Sequence, residues 1–260
     1  MTRERPRKRT SSGGVGSRSK AEAGQAVAGR RAVVEAIRAG GARRVLIANG
    51  ATVDEVVREA NRAGVPQQRV PREELDALGV ARHQGVVAMV APRRELDERA
   101  LSAIAFADDA IVVVLDGITD PQNLGAAARA AEAAGAAVLV ARRRRAAPVS
   151  PAAVRASAGA LLHLPLARVA NVSRAIERLK DRGFTVVGLD QRADRTIHDV
   201  PPPPRPVALV VGSEGEGMSR LVREGCDQLV SIPLGGRTAS LNAGAALAVG
   251  LFGFVLRPAR

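Results

Sequence analysis

The sequence predicts an α/β protein in two unequal parts: a small α/β unit, then a larger one on a mostly parallel sheet. Three observations carry that reading. From Gly29 onward, short β-branched runs alternate with stretches of helical periodicity. The run AIVVVLDG at residues 110–117 is apolar on both faces, as a strand inside a parallel sheet must be. Polar, glycine-containing clusters follow three apolar runs, and ligands of open α/β sheets collect at the carboxyl ends of strands.

Taken in order, residues 1–23 are rich in Arg, Ser and Gly, with seven basic residues and one acid among the first twenty. Such a segment buries too little apolar surface to fold alone and is expected to be a disordered basic tail, either an RNA-contacting arm or a dispensable solubilising segment. Order is expected from Gly29. GRRAVVEAIRAG has helical spacing closed by Gly40-Gly41, RRVLIAN reads as a strand, VDEVVREANRAG as a helix and QQRVP as a short strand. REELDALG makes a short helix, and HQGVVAMVAP a strand stopped by Pro92. Residues 29–92 thus form the first unit, and 93–105 a linker leading into a helix.

The second unit, residues 106–260, opens on the 110–117 strand. A helix of small residues (125–135), the strand AAVLVA, four arginines at 142–145 and a helix from Pro151 through Ala160 follow. NVSRAIERLKDRG is an amphipathic helix and FTVVGLD a strand, and the four prolines at 201–204 are a stiff connector. Strands at 207–211 and 228–232 and an alanine-rich terminal helix complete five or six mostly parallel strands.

Composition excludes several classes. The longest apolar run, 243–256, holds three glycines in 14 residues, too short for a membrane span, so no membrane partner is expected. The basic N-terminus lacks a signal-peptide apolar core. The single cysteine, Cys226, rules out an internal disulfide framework and suits a reducing cytoplasm. His83, His163 and His198 form no metal-ligand spacing with it, so no metal is expected. The net charge of +13 points to a polyanionic partner such as RNA. With no Trp, no Tyr and four Phe, base-stacking platforms are disfavoured, leaving recognition through phosphates, hydroxyls and shape. Neither G-x-G-x-x-G nor a P-loop is present, which disfavours ordinary dinucleotide and P-loop phosphate binding.

The three polar clusters are Asp120-Pro-Gln-Asn123-Leu-Gly125 with Arg129, Gly212-Ser-Glu214-Gly-Glu-Gly217, and the stretch from Leu234 to Ser240-Leu241-Asn242. Taken singly, each residue has a plainer role: Asn123 and Asn242 as helix caps, Ser240 in a turn, Arg129 as a solvated charge, Glu214 bonding its own loop. Their joint arrangement points to a site.

N-x-G-x-x-x-R at Asn123/Gly125/Arg129, V-G-S-E-G-x-G at 211–217 and I-P-L-x-G…S-L-N at 232–242 resemble, in order and spacing, the three motifs of the SpoU/TrmH family. These are S-adenosylmethionine-dependent RNA 2′-O-ribose methyltransferases of the SPOUT class. His83-Gln84-Gly85-Val86-Val87-Ala88 resembles the end of that family's ribosomal-protein-like substrate-binding domain and points to the branch that modifies a guanosine of large-subunit ribosomal RNA. The resemblance implies a C-terminal trefoil knot, a homodimer with shared active sites, and a cofactor held among Leu189, Gly212, Ile232, Leu234 and Leu241. It implies a catalytic set of Asn123, Arg129, Glu214, Ser240 and Asn242, with Arg129 acting on the ribose hydroxyl. A guanidinium with a pKa above about 12 is a poor base, so phosphate binding and alkoxide stabilisation suit Arg129 better. Arg142, Arg143, Arg144 and Arg145, placed just after a strand, are candidates for RNA phosphates. The family often has serine two residues after the last motif's asparagine; here Gly244 stands there. Transfer RNA as substrate, an antibiotic-resistance methylase, and a non-catalytic RNA-binding or ribosome-assembly protein are the alternatives.

Overall fold

A computed structural model describes residues 25–80, 82–90, 95–238 and 240–258; the basic tail expected over 1–23 lies outside them. Two sheets organise the chain. The first has four strands, β1 (Gln25–Ala28), β2 (Ala42–Ala48), β3 (Gln67–Val70) and β4 (Val86–Val90), in the order β1-β4-β2-β3. Helices α1 (Arg30–Arg38), α2 (Asp54–Arg62) and α3 (Arg72–Asp76) connect them. β1 is the element the sequence did not announce: order was expected only from Gly29. Its QAVA lacks β-branched residues apart from Val27, and it is specified by antiparallel pairing with Val87–Val90 rather than by propensity.

The second sheet has six parallel strands, β5 (Ile111–Asp116), β6 (Val138–Arg142), β7 (Leu166–Val169), β8 (Thr185–Leu189), β9 (Val207–Gly212) and β10 (Gln228–Val230), ordered β10-β8-β9-β5-β6-β7. The central pair β5 and β9 is buried along its whole length. Period-2 alternation divides β5 between two layers: Ile111, Val113 and Leu115 pack in one core, Val112 and Val114 in the other. The first core is covered by α5 (Pro121–Ala133), α6 (Pro151–Ala156) and α9 (Ala243–Gly250), the second by α7 (Val172–Lys180) and α8 (Arg220–Gly225). A π-helical turn, Leu251–Val255, extends α9. β5 to β7 build outward on one side, and β8 to β10 on the other, so the order reverses between β5 and β9. That reversal is where open α/β sheets place their ligands.

Several boundaries differ from expectation. α5 begins at Pro121, because Asp120 caps it by accepting from the Gln122 and Asn123 amides, so Asn123 is not the cap. The helix expected to reach Ala160 stops at Ala156. Ala158 and Gly159 adopt φ of 50° and 92°, and a Cβ on Gly159 would lie 2.8 Å from Glu35 Cβ of α1, so the two units meet here. β7 and α8 escape a periodicity reading: LARV carries an internal arginine, and α8 spans six residues. In the connecting segment Leu96 pairs with Ala167, and α4 (Glu98–Ser102) is capped by Asp97.

The chain end is tied to the 190–206 loop. Ser231 pairs with Thr196, and Arg257 donates to the carbonyls of Ile197 and Val200. α9 reaches that position through small residues: Cβ atoms at Gly244 and Gly250 would meet Ala126 at 2.5 Å and Leu189 at 2.7 Å. These contacts bring the terminal segment against both the 190–206 loop and α5, the close packing that the trefoil-knotted fold implied by the family resemblance requires.

Gly125 gives the sharpest packing test. A Cβ there would lie 2.5 Å from both the Ala153 carbonyl oxygen and the Ala156 Cβ, in buried surroundings where backbone must move. Gly125→Ala is expected to cost about 1–3 kcal/mol despite alanine's better helix propensity, read as a lowered urea midpoint at unchanged slope.

Candidate active site

Three strand ends converge on one cavity of about 300 Å³. β8 supplies Leu189 and the turn Asp190-Gln191-Arg192; β9 supplies Val211 and the 212–217 loop; the segment after β10 supplies Ile232, Ser240, Leu241, Ala243 and Ala246. Apolar side chains form much of the wall and backbone groups of glycine loops the rest, which suits a flat neutral heterocycle.

The 212–217 loop has room only for glycine at its base. A Cβ on Gly212 would sit 2.0 Å from the Gly217 carbonyl carbon. Ser213 and Gly217 exchange two backbone hydrogen bonds of 3.0 Å, and Gly215 and Gly217 take positive φ. Glu214 is exposed at the tip of this turn, with Asn123 Nδ2 of α5 3.5 Å from its Oε2, at the outer edge of hydrogen-bond reach. The first two motifs therefore face each other across the switch point. Asn242 takes its plainer role as well: its Oδ1 accepts from the Ala245 amide and caps α9, which fixes how Ser240 and Leu241 enter the cavity.

Of the residues anticipated around the cavity, Leu189, Gly212, Glu214, Ile232, Ser240 and Leu241 line it, whereas Leu234 does not. Arg129 stands apart from it. It is exposed on α5 and makes no ion pair among the described residues, and six positions from Asn123 put it on a different face of the helix. It lies one turn beyond Ala126, the residue that Gly244 touches, so it borders the seam between α5 and α9. In the arginine run, Arg143, Arg144 and Arg145 are exposed, whereas Arg142 turns inward, Nη2 lying 3.1 Å from Asp116 Oδ1. Among the described residues no three His, Cys, Asp or Glu side chains group as metal ligands.

Two aspartates acquire roles the sequence reading did not assign: Asp116, which opens the first polar cluster, and Asp190, which closes a quoted strand. Asp116 ends β5, is buried, and accepts from the Ser219 amide at 2.7 Å, tying the β5 end to the start of α8. Asp190 follows β8 on the cavity wall. Burial alone would push its carboxyl up. Hydrogen bonds from the Arg192 side chain and backbone, with the charges of Arg192 and Arg223, outweigh that and hold it below the usual carboxylate range. Arg192, thus anchored, reaches across to Gly217, where a Cβ would lie 3.7 Å from its Nη2.

Because the folded pKa of Asp190 is depressed, its stabilisation is complete above the unfolded value of about 3.9 and is lost as pH falls through the lower folded value. Asp190→Asn is expected to be less stable than the parent at neutral pH and to flatten the acid-side decline. Urea midpoints measured between about pH 2.5 and 6 would read both effects; parallel curves for the two proteins would contradict the assignment.

With this geometry in place, comparison with known proteins is informative. The SpoU rRNA Methylase family matches residues 110–252, and an RNA 2′-O ribose methyltransferase substrate-binding domain matches residues 26–96. An uncharacterized tRNA/rRNA methyltransferase of Mycobacterium ulcerans (strain Agy99) is 41% identical, over 90% of this chain and 77% of its own length. Among solved structures, an RNA 2′-O ribose methyltransferase superposes with a TM-score of 0.73 at 28% identity, over 87% of this chain and 86% of its own. The SpoU methyltransferase AviRb from Streptomyces viridochromogenes, in complex with AdoMet, superposes at 0.72 with 29% identity over 89% of both chains. The motif-bearing loops sit in the matched catalytic region and the small sheet in the matched substrate-binding region: the chain belongs to the SpoU family of RNA 2′-O-ribose methyltransferases.

Proposed function

We propose that this protein methylates the ribose 2′-hydroxyl of a guanosine in large-subunit ribosomal RNA, using S-adenosylmethionine, as a cytoplasmic homodimer. The observation that carries the reading is the cavity where the β8, β9 and β10 ends meet, with Glu214 and Asn123 at one side. Its apolar walls and the backbone of the 212–217 loop suit the adenosine part of the cofactor, and Leu189, Gly212, Ile232 and Leu241 would hold it. S-adenosylmethionine supplies an electrophilic methyl group there. The chain's own task is to align a ribose hydroxyl and manage its proton. Glu214 accepts the proton. Arg129 binds the neighbouring phosphate and stabilises the developing alkoxide, since a guanidinium does not deprotonate. Ser240 and Asn242 position the sugar edge.

Residues 29–92 form the RNA-binding unit, 93–105 the connection, 106–260 the catalytic unit, with Arg142 to Arg145 as RNA contacts and the tail over 1–23 as a basic arm. That Arg129 stands outside its own cavity supports a site completed by Arg129 of the partner subunit. Phe252, half exposed, and Val249, also exposed, are apolar side chains near the C-terminus that suit a dimer contact. Transfer RNA is the second substrate reading, favoured by the relative named for both RNA classes.

Mass-spectrometric mapping of ribose methylation in cells lacking the protein tests target and chemistry together. Loss of one 2′-O-methylguanosine from large-subunit RNA is expected, restored by wild type but not by Arg129→Ala. Loss from transfer RNA would move the substrate, and an unchanged map would favour RNA binding without catalysis. In vitro, Arg129→Ala is expected to lower kcat about 10²–10³-fold with unaltered S-adenosylmethionine affinity by calorimetry. Mixing inactive Arg129→Ala and Glu214→Ala chains is expected to restore up to about a quarter of wild-type activity, because half the random dimers are mixed and each carries one intact site. No recovery would place both residues in one chain's site.

A further inference from the structure

Arg168 is a long cation set in β7 and almost fully buried, at 8% exposure. Buried guanidinium is costly unless its donors are satisfied, so its partners show what the position is for. Nη1 donates to the Arg142 carbonyl at 3.2 Å, Nη2 to the Ala147 carbonyl at 2.7 Å, and Nε lies 3.1 Å from Glu95 Oε1. One planar fork therefore grips both ends of the 142–147 loop. The same loop is pinned through its backbone: the Arg143 amide donates to the Val169 carbonyl and the Ala147 amide to the Ile118 carbonyl. Between those anchors Arg143, Arg144 and Arg145 project into solvent, with Arg145 at a φ of 52°.

We infer that Arg168 is a positioning residue for RNA: it closes the base of the 142–147 loop so that three guanidinium groups are presented to the phosphate backbone as a preformed unit. Three neighbouring cations repel one another, and an unclosed loop would let them spread. Fixing the base before RNA arrives removes the ordering cost from the binding step. Glu95 adds a second consequence. It belongs to the segment leading out of the small unit, so the same fork links the loop to the connection between the two units. Arginine is favoured here because its donors start from three nitrogens spread over one plane, whereas the three donors of a lysine all start from a single nitrogen and cannot span the same acceptors.

The inference rests on the RNA reading of Arg143, Arg144 and Arg145, and the test separates the two. Steady-state methylation of ribosomal RNA purified from cells lacking the protein would be compared for six proteins. These are wild type, Arg168→Met, Arg168→Lys, Glu95→Gln, the triple variant Arg143→Gln/Arg144→Gln/Arg145→Gln and that triple variant carrying Arg168→Met, with S-adenosylmethionine affinity measured on each by calorimetry. Arg168→Met is expected to raise the RNA KM about tenfold and to reduce its salt dependence, with kcat and cofactor affinity within about twofold of wild type. Lysine is expected to recover little, and Glu95→Gln to raise KM a few-fold. Adding Arg168→Met to the triple variant should raise KM no further, because the two act through one element. A triple variant with wild-type KM would defeat the RNA reading of the loop. A triple variant with raised KM, beside an Arg168→Met or, should that fail to fold, a Glu95→Gln with wild-type KM, would defeat the positioning role alone. Additive losses would also overturn it.

Discussion

Close backbone approach is the constraint on which this structure depends. α9 arrives last in the chain and has to seat against a sheet already flanked by α5 and by the 190–206 loop. It does so where side chains are absent: Gly244 against Ala126, Gly250 against Leu189 and Leu209. Leu189 is also a wall of the cavity, so the contact that seats the helix shapes the site. The Gly212 to Gly217 approach follows the same rule within one loop. A steric allowance of a single hydrogen atom, repeated at these three glycines, sets how the motif-bearing segments approach one another.

Much of this was legible because motif and strand signals coincide. The β-branched runs at 111–116 and 207–211 are buried on both faces, and each is followed by a polar cluster that reaches the switch point. What stayed hidden has identifiable causes. β1 and β7 are short and depend on pairing partners distant in sequence, which local periodicity cannot register. The partners of Asp116 and Asp190 stayed hidden, because only the folded chain brings Arg142 to the first and Arg223 to the second. Leu234, carried over with its motif, does not line the cavity of the single chain. Arg129, chosen by motif, stands outside the single-chain cavity, because only the folded chain shows that α5 turns its exposed face away from the strand ends that build the pocket.

The excess of arginine divides into two populations. Arg168 and Arg257 are spent on main-chain carbonyls, and Arg192 and Arg223 on Asp190, all holding connections between strands in place. Arg129, Arg143, Arg144 and Arg145 remain at the surface. Net charge alone does not distinguish structural cations from those available to a polyanion, whereas partner and burial do.

The cavity walls lie at 189–192 and 211–217 and at Ile232, Ser240, Leu241, Ala243 and Ala246, and the last two of these belong to α9, so the wall is complete only where α9 is seated. On the ribosome, the sheet can therefore assemble before there is anywhere for a cofactor to sit. A chain interrupted upstream of Ser240 would carry its arginine loop and small sheet yet lack one side of the pocket. Such a fragment would keep most of the parallel sheet without a complete cavity, so the pocket depends on the strand-to-helix segment that follows β10 as much as on the sheet itself.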